Sequence, residues 1–298
     1  MPQNESTQRY KAVLYLIITA ILWSTGGLLI KWISWNPLAI AGMRSAIAAA
    51  LMWLYKRKMN FSWSWPQIGG AFFYAATVIL SVTATKMTTA ANAILLQYTA
   101  PIYVALLANW FLGEKTAKWD WIVIFTGLMG IALFFFDNLS AGGVWGNAVA
   151  IMSGIAYAGA TLFLRKQKDG SPLESLFLGN IITALIGFPF MFQSAPNAAG
   201  WLGLLLLGVF QIGLSYLLYS YAIKHVTALD AIVIPIIEPI LNPVWVLLFL
   251  GEVPAKWALV GGMLVLAAVA FRSIVLVSLG KNAPFNQTSH EAPPVQSR

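Results

Sequence analysis

Residues Thr88 to Trp119 read TTAANAILLQYTAPIYVALLANWFLGEKTAKW, and 138 residues later Val226 to Trp257 read VTALDAIVIPIIEPILNPVWVLLFLGEVPAKW. Thirteen of the 32 aligned positions are identical. They include Pro101 with Pro239, Leu112-Gly113-Glu114 with Leu250-Gly251-Glu252, and Ala117-Lys118-Trp119 with Ala255-Lys256-Trp257. Shared apolar composition does not align polar and turn residues in this way, so the chain carries one design written twice. The match extends upstream to Lys86 and Lys224, so the copies share a helix boundary as well as a helix interior.

The rest of the 298-residue chain says where that design lives. Only 9% of residues are charged and 59% are hydrophobic, with mean hydropathy +0.75, against roughly a quarter charged in soluble domains. Charge-free runs such as Met59–Thr85, Met87–Gly113, Asn138–Leu164 and Ser175–Ile223 each meet the ~20 residues that cross hydrocarbon. The longest holds two spans, with Pro189, Pro196, Asn197 and Gly200 marking the turn between them. Long continuous apolar runs without alternation every second residue select helices over barrel strands. The reading is ten helices: α1 12–31, α2 36–55, α3 66–85, α4 89–112, α5 119–136, α6 144–164, α7 173–192, α8 200–222, α9 228–250 and α10 256–277. Residues 1–9 and 280–298 are polar tails, expected to be disordered. No cleavage signal follows α1, so it is expected to stay as a span. With no cysteine, disulfides, thiol catalysis and thiolate metal sites are excluded.

Placing the amino terminus in the cytoplasm puts fourteen Lys and Arg in cytoplasmic segments and three (Lys31, Lys86, Lys256) outside, with Arg44 left within α2. Positive charge in short loops sets orientation, so the net charge of +8 is a topology signal and both termini are expected in the cytoplasm. The basic residues are scattered and lack an aromatic platform, so they do not indicate nucleic acid. The repeated units begin five helices apart, an odd number, so the second copy enters the bilayer from the opposite face. The expected architecture is an all-α polytopic membrane protein, its ten transmembrane helices forming two inverted five-helix repeats (10–138 and 139–279) around a central cavity. Inverted repeats are a recurrent transporter plan with the substrate site near mid-membrane.

These features resemble the drug/metabolite transporter superfamily, specifically its EamA-type exporters with two five-helix halves. The marks are the proline-containing α4 and α9 ending in Leu-Gly-Glu, Asn36-Pro37-Leu38 ahead of Arg44 in α2, and a Gly-rich fifth helix in each half. The resemblance covers nearly all of residues 10–278. It implies export of amino acids or similar metabolites through a bacterial inner membrane, with no cofactor. Within the family the likeness is to bacterial exporters of aromatic amino acids.

Several residues suit such a role. Arg44 lies roughly 12 Å into α2 at 1.5 Å per residue; its guanidinium either holds a substrate carboxylate or clamps a neighbouring helix. Glu238, the only acid deep within a span, precedes Pro239; it either receives a substrate ammonium or a proton, or seals the gap left by the prolines. Pro101 and Pro239 each delete a backbone hydrogen bond, which marks them as hinges or as fixed bends. Thr77, Ser81 and Thr85 share one face of α3, and Gln211, Ser215 and Tyr219 form the corresponding stripe of α8; each is a polar wall or a helix-packing surface. Gln97, Tyr98 and Asn242 neighbour the paired prolines and are better cavity candidates. Trp23, Tyr74, Tyr98, Tyr103, Tyr157, Tyr216 and Trp245 lie inside spans, where rings serve aromatic or cationic cargo or simple packing. Of these, Trp23, Tyr74, Tyr98 and Tyr157 are taken as substrate-binding candidates. Gly113-Glu114 and Gly251-Glu252 read as structural, with each carboxylate expected at the amino end of the following helix, α5 or α10.

An enzyme is disfavoured because the two histidines, His225 and His290, offer no catalytic set, and no hydrolase or phosphate-loop motif is present. The expected function is a secondary carrier that exports amino acids by alternating access. The expected partners are its small-molecule substrate and the bilayer, with a monomer as the default. The alternatives are an exporter of another metabolite or a cationic drug-like compound, or a uniporter or channel without proton coupling.

Overall fold

The structure is a computed structural model that describes residues 2–114, 121–122, 125–126, 129–130, 133, 141–253 and 256–278. Among these residues all regular secondary structure is helical. Eight helices there are long and apolar enough to cross a bilayer: Thr7–Trp32, Pro37–Tyr55, Trp65–Met87, Ala90–Leu112, Gly143–Lys166, Pro172–Phe192, Ala198–Ala222 and Ala228–Leu250. They correspond to α1–α4 and α6–α9, and α10 is a continuous helix, Lys256–Ser278. The described positions of α5, from Trp121 to Leu133, are helical; its other residues, and the 280–298 tail, lie outside the described residues.

The expected boundaries hold where caps and breakers set them. Asn36 caps α2 by accepting from the Leu38 N–H, ahead of Pro37 at the first helical position. Asn197 caps α8 by accepting from the Gly200 N–H, and α7 ends in a 3₁₀ turn, Phe188–Phe192, containing Pro189. The amino-terminal tail is a correction. Helix α1 starts at Pro2, so residues 2–9 are helical where a disordered tail is expected. Once an apolar span is nucleated, each added residue gains a backbone hydrogen bond at little further cost. The Arg9 guanidinium lies 3.9 Å from the Asp230 carboxylate at the start of α9.

Among the described residues four spans are broken internally, each for a local chemical reason. In α1 the turn at Thr25 separates Pro2–Ser24 from Gly26–Trp32, and the Ser24 and Thr25 hydroxyls donate back to the Ile21 and Leu22 carbonyls, a pattern that bends helices. In α4, Tyr98 and Thr99 separate Ala90–Gln97 from Ala100–Leu112, because Pro101 has no N–H for the Gln97 carbonyl. Helix α9 breaks at the matching place of the repeat: Ile234–Ile236 is 3₁₀, and Pro235 has ψ 20°. Pro239 likewise leaves the Pro235 carbonyl without its helical donor. In α8 the stretch Leu207–Leu214 is π-helical, which re-aims Gln211.

The helices pack around these breaks. The largest contact is α3 on α6; α2 lies against α7 and the π-helical part of α8, and α1 against α8 and α9. Helices α2 and α7 meet backbone to backbone: a Cβ on Gly42 would lie 2.8 Å from the Gly187 Cα. Such small-residue crossings bring membrane helices close where no hydrophobic effect drives them together.

Both Leu-Gly-Glu copies end their helices alike. Gly113 and Gly251 have φ +71° and +69°, the left-handed conformation that turns the chain back after a helix. The Gly113 N–H bonds the Asn109 carbonyl, and the Gly251 N–H bonds the Leu247 carbonyl. This turn throws the following carboxylate across the molecule. Glu114 Oε2 accepts from the Ala228 N–H at 2.9 Å, at the start of α9, and Glu252 Oε1 accepts from the Ala90 N–H at 2.6 Å, at the start of α4. The carboxyl end of each segment therefore lies at the amino end of the other, and α4 and α9 run antiparallel.

Gly113→Ala should lower stability by about 1 kcal/mol, the cost of a side chain in the left-handed region. Gly170→Ala, whose added Cβ would meet only the Gln167 carbonyl at 3.5 Å, should be near neutral; denaturation midpoints in mixed micelles measure both.

Candidate functional site

The broken parts of α1, α4, α8 and α9 face one space, with α2, α3 and α6 completing its wall. It is a cavity of about 60 Å³, room for a few water molecules. Arg44 and Glu238 both line it. They are 2% and 7% exposed, and they are not paired with each other.

Arg44 uses its two terminal nitrogens inside the protein. Nη1 donates to Gln211 Oε1 at 3.1 Å and Nη2 to the Val78 carbonyl at 3.4 Å, while Nε has no partner. The π-helical segment of α8 brings Gln211 to that position. A buried, cavity-lining guanidinium with one unused donor suits an anionic partner, since leaving such a donor unmet is costly.

Glu238 faces the same space from α9. Its Oε2 is 2.9 Å from the Tyr98 hydroxyl of α4, and that hydroxyl also lies 2.7 Å from the Pro235 carbonyl, the group Pro239 leaves without a helical donor. Asn242, one turn on, presents an unpartnered Oδ1. That oxygen rests where Gly27 has no side chain; a Cβ on Gly27 would lie 2.0 Å from it. On α3 the Thr77, Ser81 and Thr85 hydroxyls donate to the Phe73, Val78 and Ser81 carbonyls of their own helix, so each offers the cavity only an acceptor oxygen. One part of the cavity wall thus carries the Arg44 guanidinium, and another carries Glu238, the α3 hydroxyl oxygens and Asn242, whose Oδ1 is itself buried against Gly27.

An aromatic cluster forms the remaining wall. The Trp23 ring lies 5.0 Å from Tyr216, 5.5 Å from Tyr219 and 6.0 Å edge-on from Tyr157. Trp23 Nε1 donates to Ser215 Oγ at 2.9 Å, and the Tyr219 hydroxyl lies 3.1 Å from Thr161 Oγ1. Tyr74 stands edge-on to Tyr216 at 4.8 Å and donates to Asn180.

Of the residues singled out in the sequence, Trp23, Thr77, Ser81, Gln97 and Tyr157 line the cavity, as do Gln211, Glu238, Asn242 and Arg44. Tyr98, Tyr74, Ser215 and Tyr219 stand behind that wall and hold it by the bonds just described. Pro101 and Pro239 are buried at the helix breaks rather than in the wall. Sequence reasoning missed Gly26 and Gly27, which let Gln211 and Asn242 approach α1; a Gly-Gly pair inside an apolar span was the available signal.

Each end of the paired segments carries a clamp. Glu114 Oε1 receives the Arg165 Nε at 2.8 Å, and Arg165 Nη1 also donates to the Ile223 and Lys224 carbonyls. At the other clamp Lys31 Nζ lies 3.1 Å from Glu252 and donates to the Thr88 carbonyl at 2.8 Å. Thr227 and Thr89 cap the two helix starts through the Asp230 and Asn92 N–H groups. The carboxylates therefore cap α9 and α4, whereas the expectation was the starts of α5 and α10; residues 115–120 and 254–255, before those two helices, lie outside the described residues. Each sits on the positive amino end of a helix in the other half of the chain. Both Lys86 and Lys224 add a bond to a loop carbonyl of their own half, Ile33 and Gly170.

Long apolar helices around a polar cavity define a multi-pass membrane protein. The EamA-like transporter family model matches residues 10–136 and again 144–274, and the chain belongs to that family. It is a membrane transporter. A transporter of Archaeoglobus fulgidus is 30% identical over 68% of this chain and 74% of its own length. The inner membrane transporter YedA of Escherichia coli is 25% identical over 83% of each. The pseudopaline exporter CntI of Pseudomonas aeruginosa is 28% identical over 60% of this chain and 64% of its own. A solved crystal structure superposes on 90% of this chain and 98% of its own with TM-score 0.69 at 17% identity, a likeness of fold alone.

The two clamps differ in burial. The Arg165 and Glu114 side chains are 4% and 17% exposed, those of Lys31 and Glu252 21% and 24%. Glu114→Ala should therefore cost about 2–3 kcal/mol, because it removes a charge-assisted hydrogen bond from a buried guanidinium, and Glu252→Ala about 1 kcal/mol. Unfolding in mixed micelles tests the order, and equal costs would contradict the assignment.

Proposed function

We propose that the protein is a secondary carrier of the bacterial inner membrane that exports zwitterionic amino acids, chiefly aromatic and hydrophobic ones, by alternating access. The observation that carries this is the placing of a buried guanidinium, its Nε unmet, and a buried carboxyl in the wall of one cavity. A zwitterion meets both at once: its carboxylate takes the planar guanidinium, and its ammonium takes Glu238, Asn242 and the acceptor oxygens of α3. Trp23, Tyr157 and Tyr216 offer ring faces to an aromatic or aliphatic side chain, each contributing on the order of 0.5–1.5 kcal/mol. Choline-like drugs carry no carboxylate for Arg44, and sugar phosphates carry no ammonium for Glu238. The likeness to the exporter CntI supports export as the direction. The aromatic wall supports the finer likeness to the amino-acid exporter YddG.

The proposed architecture is ten spans in two inverted halves, 10–138 and 139–279, with both termini in the cytoplasm. Its support is the double family match, the antiparallel α4 and α9, and the loop charge bias. On this reading the Arg165–Glu114 clamp faces the cytoplasm and the Lys31–Glu252 clamp faces outward. Opening one while the other stays closed exposes the cavity to one side at a time, with the breaks at Pro101 and Pro239 as pivots. Nothing in the residue inventory supports catalysis, so the protein is read as a carrier and not an enzyme, working as a monomer.

Counterflow of labelled phenylalanine in proteoliposomes tests the proposal. Unlabelled amino acids should compete. Phenylalanine methyl ester, which lacks the carboxylate, and N-acetylphenylalanine, which lacks the ammonium, should each compete roughly tenfold to a hundredfold less well, the worth of one charge-assisted hydrogen bond. Equal competition by the ester, or preference for a quaternary amine or nucleotide sugar, would overturn the substrate assignment.

A further inference from the structure

The loop between α2 and α3, residues 56–64, contains a strained turn. Trp63 has φ 53°, and among the described residues it is the one non-glycine with a positive φ. A bulky side chain is costly in that region. The turn is nonetheless held: the Trp63 N–H donates to Gln67 Oε1 at 2.9 Å, and Ser62 Oγ lies 2.9 Å from Ser64 Oγ. What the strain achieves is to put the indole outside. Trp63 is 64% exposed, and its ring meets only Phe61, at 5.5 Å. An exposed ring in a strained turn gains too little from the protein itself to account for the turn.

The inner side of the same loop is pinned. Lys56 pairs with the fully buried Glu174 near the start of α7, and Glu174 Oε1 also accepts from the Asn60 N–H at 3.3 Å. Met59 packs on the apolar core. That acid is taken by Lys56, while Arg57 and Lys58 are exposed and no acid among the described residues pairs with either. The Arg57 guanidinium lies 5.1 Å over the ring of Trp53, in the last turn of α2. The indole N–H groups of Trp53, Trp63 and Trp65, all exposed, find no protein acceptor among the described residues. Two cations and three indole donors therefore gather at one end of the bundle, beside exposed Leu54 of α2 and Ile68 of α3.

We infer that this loop is a binding site for an anionic phospholipid of the leaflet it borders, which is the inner leaflet in the orientation proposed above. Arg57 and Lys58 take the phosphodiester, the indole N–H groups bond its phosphate and ester oxygens, and Leu54 and Ile68 lie along the acyl chains. Indoles favour the membrane interface because one edge is apolar and the other donates, and clustered cations at the surface attract anionic lipid. A free phosphate would satisfy the cations but would leave the strained indole in water, so the occupant is a lipid. Because Lys56 and Asn60 tie the loop to Glu174, a bound lipid braces α2 and α3 against α7.

The experiment titrates phosphatidylglycerol, with phosphatidylcholine as the neutral control, into the full chain in neutral detergent micelles and follows the unfolding midpoint. No transported substrate is involved, so the result is separate from the carrier reading. Phosphatidylglycerol should raise the midpoint saturably and phosphatidylcholine should not; equal effects would overturn the site. Inorganic phosphate should leave the midpoint where it was, and a rise matching the lipid's would overturn the lipid assignment. Arg57→Gln and Lys58→Gln should each raise the half-saturating lipid fraction roughly fivefold, the worth of one cation at an anionic surface. Lys11→Gln, exposed on α1, should not; the same loss there would mean diffuse charge attraction and no local site. Trp63→Gly separates binding from folding, since glycine fits the left-handed turn. It should be at least as stable as the wild type without lipid and yet bind phosphatidylglycerol several-fold more weakly. A lower midpoint without lipid would show that the indole serves the protein's own packing and would overturn its part in the site.

Discussion

Two carboxylates that cross from one half of the chain to the other constrain everything else in this molecule. Glu114 and Glu252 follow the same left-handed glycine in two copies of one motif, and each binds a helix start and a cation that belong to the opposite copy. A helix amino end has unmet N–H groups, and in an apolar surround those groups must find an acceptor. Here the acceptor comes with a charge, and the charge is met by Arg165 or Lys31. The reciprocal arrangement makes α4 and α9 antiparallel and sets their broken middles side by side.

The cavity follows from that alignment. Prolines at matching places in α4 and α9 free carbonyls where an intact helix would have none, and one of those carbonyls is met by a tyrosine of the other segment. The π-helical turn of α8 and the Ser24-Thr25 bend of α1 add irregular backbone at the same space, where it is tolerated because it lines a polar cavity and does not face lipid. Clamps at the ends and breaks in the middle are complementary. The ends hold the helices in register, and the middle provides polar groups without dissolving the spans.

Much of this was legible in the residues. The long charge-free runs gave the spans, the 138-residue repeat gave the pairing of α4 with α9, and Asn36, Asn197 and the prolines marked boundaries and breaks. Arg44 and Glu238 stood out because ionisable groups deep in apolar helices need a reason. The errors were of tertiary reach. The Leu-Gly-Glu motif points to the next helix in the chain, since a sequence shows the neighbour along the backbone and not the helix starts across the fold that Glu114 and Glu252 bond. The role of Tyr98 as donor to Pro235 depends on a contact 137 residues apart, which no local pattern announces. The approach of α1 to Gln211 and Asn242 depends on two glycines whose significance lies in the absence of side chains.

The antiparallel halves are the claim on which the carrier reading stands, and the chain's lack of cysteine allows a direct check. Single replacements Asp169→Cys, in the exposed loop beside the Arg165 clamp, and Val253→Cys, 71% exposed beside Glu252, can be probed with a membrane-impermeant maleimide in right-side-out and inside-out vesicles. The account predicts that position 253 labels only in right-side-out vesicles and position 169 only in inside-out ones. Labelling of both positions from the same side would contradict it.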